Sequence, residues 1–232
     1  MTIVISKTIE RMAVAGLHFG ALRSRRNPTT KPFVHGNKGN IEIVDLEKTL
    51  TSLDKAKEFM AGLGKDGKQV LLVGNKGEAR EEIKKAAESA NLPFVALRWI
   101  GGTLTNFDEI RKRVNKLLDW REKERTGELA KYTKKERGNI TFEMKKLERF
   151  FGGIIDMVAQ PSAMIVIDSN KEEAAILEAR ALHIPVISLS NTDCNIDDIE
   201  YPIVGNDKAV PSISMILAEL VSAYKEGRSG IK

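Results

Sequence analysis

Gln69-Val70-Leu71-Leu72-Val73-Gly74-Asn75-Lys76-Gly77 is the stretch whose reading decides the fold. Its unbroken apolar run, ended by a glycine, fits a strand covered on both faces by other layers of structure. A helical pattern over 77–90 follows it, and Pro93 to Leu97 then reads as another strand. Upstream, Ile41-Glu42-Ile43-Val44 reads as a strand. Residues 45–62 read as a helix with Leu46, Leu50, Leu53, Ala56 and Phe59 on one face. Downstream come a strand at Ala163 to Ile167, a helix over 171–182, a strand at Pro185 to Leu189 and a closing helix over 211–224. Strands that alternate with helices imply a mainly parallel sheet with helices on both sides, an α/β fold.

One stretch breaks the alternation. Arg98-Trp99-Ile100-Gly101-Gly102-Thr103-Leu104-Thr105-Asn106 leaves the third strand and opens a long charged segment. Its glycines permit positive φ, and its arginine and tryptophan suit a flat or phosphorylated ligand. Thr105 and Asn106 can cap a following helix, with Asp108 and Glu109 as capping-box partners. That helix carries Ile110, Val114, Leu117, Leu118 and Trp120; a second carries Ile140, Met144, Leu147 and Phe151. Each has one narrow apolar stripe in a charged surface, the pattern of two helices packed on each other. Asp108–Lys112, Glu109–Arg113 and Asp119–Lys123 stand at favourable spacing. Thr126-Gly127 breaks the first arm, Thr133 with Glu136 caps the second, and Gly138-Asn139 argues for a later start to that arm. The expected organisation is an α/β body over 1–102 and 154–232 with a helical hairpin inserted at 103–153.

At the other end, residues 6–15 read as a short helix capped by Ser6 and closed by Gly16. From Gly16 to Phe33 two prolines, two glycines and no periodicity predict an irregular loop. Arg23, Arg25, Arg26 and Lys31 lie there beside Phe19 and Phe33, which suits RNA: phosphates attract the cations and unpaired bases can stack. His18 has no partner at metal-ligand spacing and reads either as a structural histidine or as an RNA contact.

Charge is sorted along the chain. Residues 108–149 hold 14 Lys/Arg against 9 Asp/Glu, so the whole formal net charge of +5 resides in the hairpin. Arg11 to Ile41 contains no acid, and Asn191 to Asp207 contains no base. Such sorting points to a polyanionic partner on one face. With Cys194 as the sole cysteine no internal disulfide is possible, and a reducing, cytoplasmic setting is expected. Neither a leader pattern nor an apolar run of the ~20 residues that span a bilayer is seen.

Catalytic chemistry finds little support. Gly74-Asn75-Lys76-Gly77 places Gly and Lys at a helix start, where phosphate binds readily, but it lacks both glycine-rich phosphate-loop spacings. Asp168 and Asp193 follow strands and could form a metal pair or a phospho-acceptor, yet carboxylates there serve just as often as helix caps or turn formers. A nucleotide-binding α/β enzyme and a protein-docking platform remain the alternatives to RNA binding.

Taken together, Gly16-Leu17-His18-Phe19-Gly20, Asn27-Pro28, Lys31-Pro32-Phe33, Asp45-Leu46-Glu47-Lys48-Thr49, the Arg98–Asn106 turn, Tyr132–Glu136, Gly152-Gly153-Ile154, Ile184-Pro185-Val186 and Gly205-Asn206-Asp207 resemble the bacterial ribosomal protein S2 family. The resemblance runs along nearly the whole chain. It implies a Rossmann-like, flavodoxin-like sheet with an inserted α-helical coiled-coil hairpin, no enzymatic activity, no cofactor and no bound metal. Its implied partners are small-subunit ribosomal RNA and neighbouring ribosomal proteins, including the large one that captures messenger RNA. Where the family usually has a histidine and an aromatic, this chain has Ala21 and Arg26, and it ends without the acidic tail of many relatives. RNA contacts are expected from His18, Arg23, Arg25, Arg26, Asn27, Lys31 and Lys38 in the first loop. Arg98, Trp99, Thr105 and Asn106 at the turn would add to them, as would Arg111, Lys112, Arg113, Lys134 and Lys135 on the hairpin. The acids Asp193, Asp197, Asp198 and Glu200, with Asp207, are expected to receive a basic protein surface.

Overall fold

The computed structural model describes residues 2–230, with side chains from residue 7 onward. In order, the elements are α1 (Thr2–Val14), β1 (Phe19–Leu22), β2 (Val34–Lys38), β3 (Ile41–Val44), α2 (Leu46–Lys65), β4 (Val70–Val73), α3 (Gly77–Ala90) and β5 (Phe94–Val95). There follow α4 (Phe107–Arg125), α5 (Lys134–Phe151), β6 (Ala163–Ile167), α6 (Glu173–Ala181), β7 (Val186–Ser190), β8 (Tyr201–Val204) and α7 (Val210–Ser229).

Five strands form a parallel sheet in the order β5-β4-β6-β7-β8. Numbered within that sheet the order is 2-1-3-4-5, the doubly wound arrangement. Successive residues of β4 point to opposite faces, which is why the strand is apolar throughout. Val70 and Leu72 enter a core with Leu53, Met60, Ile83, Leu217 and Leu220 from α2, α3 and α7. Leu71 and Val73 enter a second core with Ala175 and Ala179 of α6 and with Ile110, Val114 and Phe151 of α4 and α5. The bases of the two charged helices are therefore seated in the body's own core.

The parallel sheet and its flanking helices are as the sequence implies, but several elements differ. Ile41–Val44 is not a strand of the parallel sheet. It is the centre of a separate antiparallel sheet, β1-β3-β2. The stretch read as an irregular loop supplies β1 and the 3-10 turns at Arg23–Arg25 and Pro28–Phe33, and β2 follows it directly. Strands this short, with the register shifted in both pairings, carry too little periodicity to show in sequence. The fifth strand of the parallel sheet is instead β8, unrecognised because it is brief and contains Pro202, which an edge strand tolerates. α1 starts at Thr2, so Ser6 lies within the helix and not at its cap; its side chain falls outside those described.

Candidate nucleic-acid interface

In a doubly wound sheet, ligands bind beyond the carboxyl ends of the strands, where the strand order reverses. Here that point lies between β4 and β6, and it is filled by protein. Lys76, at the start of α3, turns inward and places its Nζ 3.0 Å from both Asp168 and Asp207. All three are buried. Asn191 donates to Asp207 at 3.1 Å, and Glu172 accepts the Asn75 N–H at 2.7 Å. Burial opposes the charge on Lys76, but Asp207 and Asp168 outweigh it and raise its pKa. The lysine that could have gripped a phosphate is thus committed to two carboxylates. Asp168, Cys194 and Asp207 stand close enough together to hold a metal ion, yet the ammonium group already occupies the space between the two carboxylates. Burial pushes the Cys194 thiol up to about 11, which leaves it a poor nucleophile at neutral pH.

The basic surface begins on the small sheet. Arg23, Arg25, Lys31 and Lys38 are exposed. Arg26 differs from them: its guanidinium reaches back to Glu42, 0% exposed, at 3.2 Å. Asn27 caps the second 3-10 turn, accepting from the Thr29 N–H at 3.1 Å, and its own N–H bonds the Thr192 carbonyl. The Thr192 hydroxyl accepts from the Ala21 N–H, and its carbonyl accepts from the Thr30 hydroxyl. Residues 21–30 are therefore tied to the loop after β7. His18 is half-buried with its ring against Phe19, and its buried Nδ1 has no hydrogen-bond partner among the described residues.

The turn from 98 to 106 is organised by a residue that sequence reading passed over. The Glu178 carboxylate on α6 accepts from the Trp99 Nε1–H at 2.8 Å and from the backbone N–H groups of Gly102, Leu104 and Thr105. It also accepts the Thr105 hydroxyl at 3.2 Å. Burial works against its ionisation, but these donors outweigh burial and hold the carboxyl below the usual carboxylate range. Gly102 takes φ 88°, as its glycine allows. Trp99 is buried, so the reading that its face is open to stack gives way to a packing role; Arg98 remains exposed. Asn106 precedes α4 but makes no side-chain cap bond, so the capping expected of it does not form. A glutamate more than seventy positions away leaves no local signature.

Of the residues expected on the hairpin, Arg113, Lys134 and Lys135 are exposed, and Lys112 is exposed beside Glu109 at 2.5 Å. Arg111 is half-buried and donates to the carbonyls of Ile155 and Met157, which stitches α4 to the segment after α5. The capping box of Thr133 and Glu136 forms as read. α5 nevertheless runs from Lys134 straight through Gly138, not from a later start. Leu118 lies outside the buried stripe of α4. Lys116–Glu143 and Arg121–Glu148 link the two helices.

The acids divide. Asp198 pairs with Arg180 at 2.6 Å, and Glu200 accepts the Val186 N–H at 2.8 Å. Asp193 is half-buried near Lys208, Asp207 belongs to the buried triad, and Asp197 is exposed.

Over residues 12–227 the chain matches the family described as Ribosomal protein S2. It is 40% identical over 223 residues to the small ribosomal subunit protein uS2 of Coprothermobacter proteolyticus, covering 96% of this chain and 83% of that one. It is 42% identical over 227 residues to the uS2 protein of Mycobacteroides abscessus, covering 97% and 82%. With the uS2 protein of Nocardia farcinica it shares 44% identity over 220 residues, covering 95% and 77%.

Proposed function

This chain belongs to the ribosomal protein S2 family, a structural and non-enzymatic family, and from that premise we propose that it resides in the cytoplasm on the small ribosomal subunit and binds that subunit's RNA. The observation that carries the reading is the acid-free run from Arg11 to Ile41. In the fold this run becomes a small sheet and two tight turns that expose Arg23, Arg25, Lys31 and Lys38, with residues 21–30 bound firmly to the body. Cations on a stiff scaffold meet phosphates without a large ordering cost, and RNA helices are read mostly through backbone and shape. Arg98, Arg113, Lys134 and Lys135 extend the footprint along the turn and the helical pair, which acts as a coiled-coil arm of the 103–153 unit. The triad at the switch point supports the same reading, since a site filled by its own lysine leaves no room for a nucleotide.

The exposed acid Asp197 serves a second contact, the docking of a basic ribosomal neighbour such as the large protein that captures messenger RNA. The test is sucrose-gradient fractionation of cells carrying a tagged copy. The wild-type chain travels with small subunits, and Arg23→Glu with Arg25→Glu leaves the protein folded but in the free fraction. Unchanged incorporation of that variant would remove the small sheet from the interface.

A further inference from the structure

The antiparallel sheet β1-β3-β2 covers the body with only one of its faces. On the other face the cross-strand register sets two rows of side chains. Leu22, Ile41 and Lys38 stand abreast, and so do Phe19, Ile43 and Gly36. Residues directly opposite one another in an antiparallel pair share a face, so these six positions form one outward surface. It is strongly apolar for an exposed position: Phe19 is 40% exposed, Leu22 44% and Ile41 41%. The Phe19 ring packs against His18, whose ring centroid lies 4.0 Å away. Beside Phe19 and Ile43 the third place in the row is Gly36, and the space a side chain would fill there is open. An aromatic ring, an aliphatic neighbour and a third position without a side chain thus stand in one row.

We propose that this face binds an unpaired RNA base, stacked on Phe19 over Ile43 and Gly36, with Arg23, Arg25 and Lys38 holding the flanking phosphates. The proposal rests on the reading that this side of the protein meets RNA, and it goes further by naming single-stranded nucleotide as the ligand class. Charge selects RNA over a protein partner for this face. Arg23 follows Leu22 directly, Lys38 ends the same row as Ile41, and no carboxylate stands among the six positions. Glu42, between Ile41 and Ile43, points to the opposite face, where it is buried and paired with Arg26. Asp45 and Glu47 line the hollow beside Ile43, where Asp45 caps α2 and lies 3.6 Å from Lys48, so the cations Arg23 and Lys38 hold the opposite, Leu22 edge of the face. An exposed aromatic among apolar neighbours, with Arg23 and Lys38 at its Leu22 edge, matches the chemistry of single-strand recognition, in which bases stack and the backbone is held electrostatically.

The experiment uses the full chain with two probes: a twelve-nucleotide oligoadenylate carrying one 2-aminopurine, and a fully paired RNA duplex of twelve base pairs. The expected result is quenching of the 2-aminopurine on binding. Phe19→Ala and Phe19→Leu should each weaken oligoadenylate binding about ten-fold and abolish the quenching, with duplex affinity and melting temperature unchanged. Phe19→Trp should retain both affinity and quenching. Unaltered affinity and quenching in the Leu variant, or an equal loss on both RNAs, would overturn the stacking site. So would a Phe19→Leu protein that binds both RNAs normally but loses a protein neighbour in assembled subunits. If stacking fails while Arg23→Glu with Arg25→Glu still abolishes duplex binding, the broader RNA reading survives alone. Failure of the wild-type chain to bind either RNA would overturn both.

Discussion

The Glu178 carboxylate lies 2.8 Å from the indole nitrogen of Trp99, joining α6 to a turn more than seventy residues earlier in the chain. The same carboxylate receives three backbone N–H groups, so one side chain sets the path by which the chain leaves β5 and enters α4. Glu178→Ala would leave these donors unpaired. We expect a loss of about 2–3 kcal/mol in urea unfolding, since hydrogen bonds to charged groups are costly to break. Trp99 fluorescence should shift to the red. A variant as stable as the parent would show that water replaces the carboxylate without cost.

The same residue confers a pH dependence with a definite sign. Its folded pKa lies below its unfolded one, so its stabilising contribution is present above the unfolded value of about 4.3. It is lost as pH falls through the lower, folded value. Melting curves across pH 2.5 to 6 should therefore fall less steeply on the acid side for Glu178→Gln than for the parent. Parallel curves would contradict the assignment.

Arg26 should behave unlike Arg23 and Arg25, though all three lie in one basic run. Arg26→Ala leaves the buried Glu42 without its counter-charge, an expected loss of about 1–3 kcal/mol given that Arg26 is itself partly in water. Changing Glu42 to Gln in the same chain should recover much of this. Arg23→Ala or Arg25→Ala should stay within about 0.5 kcal/mol of the parent. Thermal melting of the four variants checks the contrast. It is also why the incorporation test on the small sheet omits Arg26.

Lys76 is expected to be structural. Lys76→Met strands two buried carboxylates and should cost about 3–5 kcal/mol. Adding Asp168→Asn and Asp207→Asn should restore most of that loss. A Lys76→Met chain of parental stability would mean that the triad is hydrated.

The α2–α7 contact depends on two glycines. A Cβ on Gly64 would stand 2.1 Å from the Tyr224 carbonyl oxygen, and one on Gly227 would stand 2.1 Å from that of Ala61. Although alanine favours a helix over glycine by about 1 kcal/mol, Gly64→Ala and Gly227→Ala should each destabilise by about 1–3 kcal/mol through overpacking. Chemical denaturation gives the sign directly, and a stabilised variant would show that the helices can separate freely.

The sequence by itself determined the parts of this protein that depend on near neighbours. Val70–Val73 announces a covered strand because its run is continuous, Thr133 with Glu136 announces a helix start because both partners lie within one turn, and the absence of acid from Arg11 to Ile41 is visible in composition alone. Only the tertiary structure decided which of these residues are free to act. Ile41–Val44 has the same strand pattern whichever sheet it joins, and the choice depends on β1 and β2, whose own pattern is too short to read. Lys76, Arg26, Arg111 and Trp99 have the chemistry of ligand contacts. What engages them is Asp168 and Asp207, Glu42, the Ile155 and Met157 carbonyls, and Glu178, partners brought near by folding, although Arg26 stays partly in water. Local periodicity encodes the elements, whereas a buried charge finds its partner through packing over long separations, and no window of sequence contains both ends of such a contact.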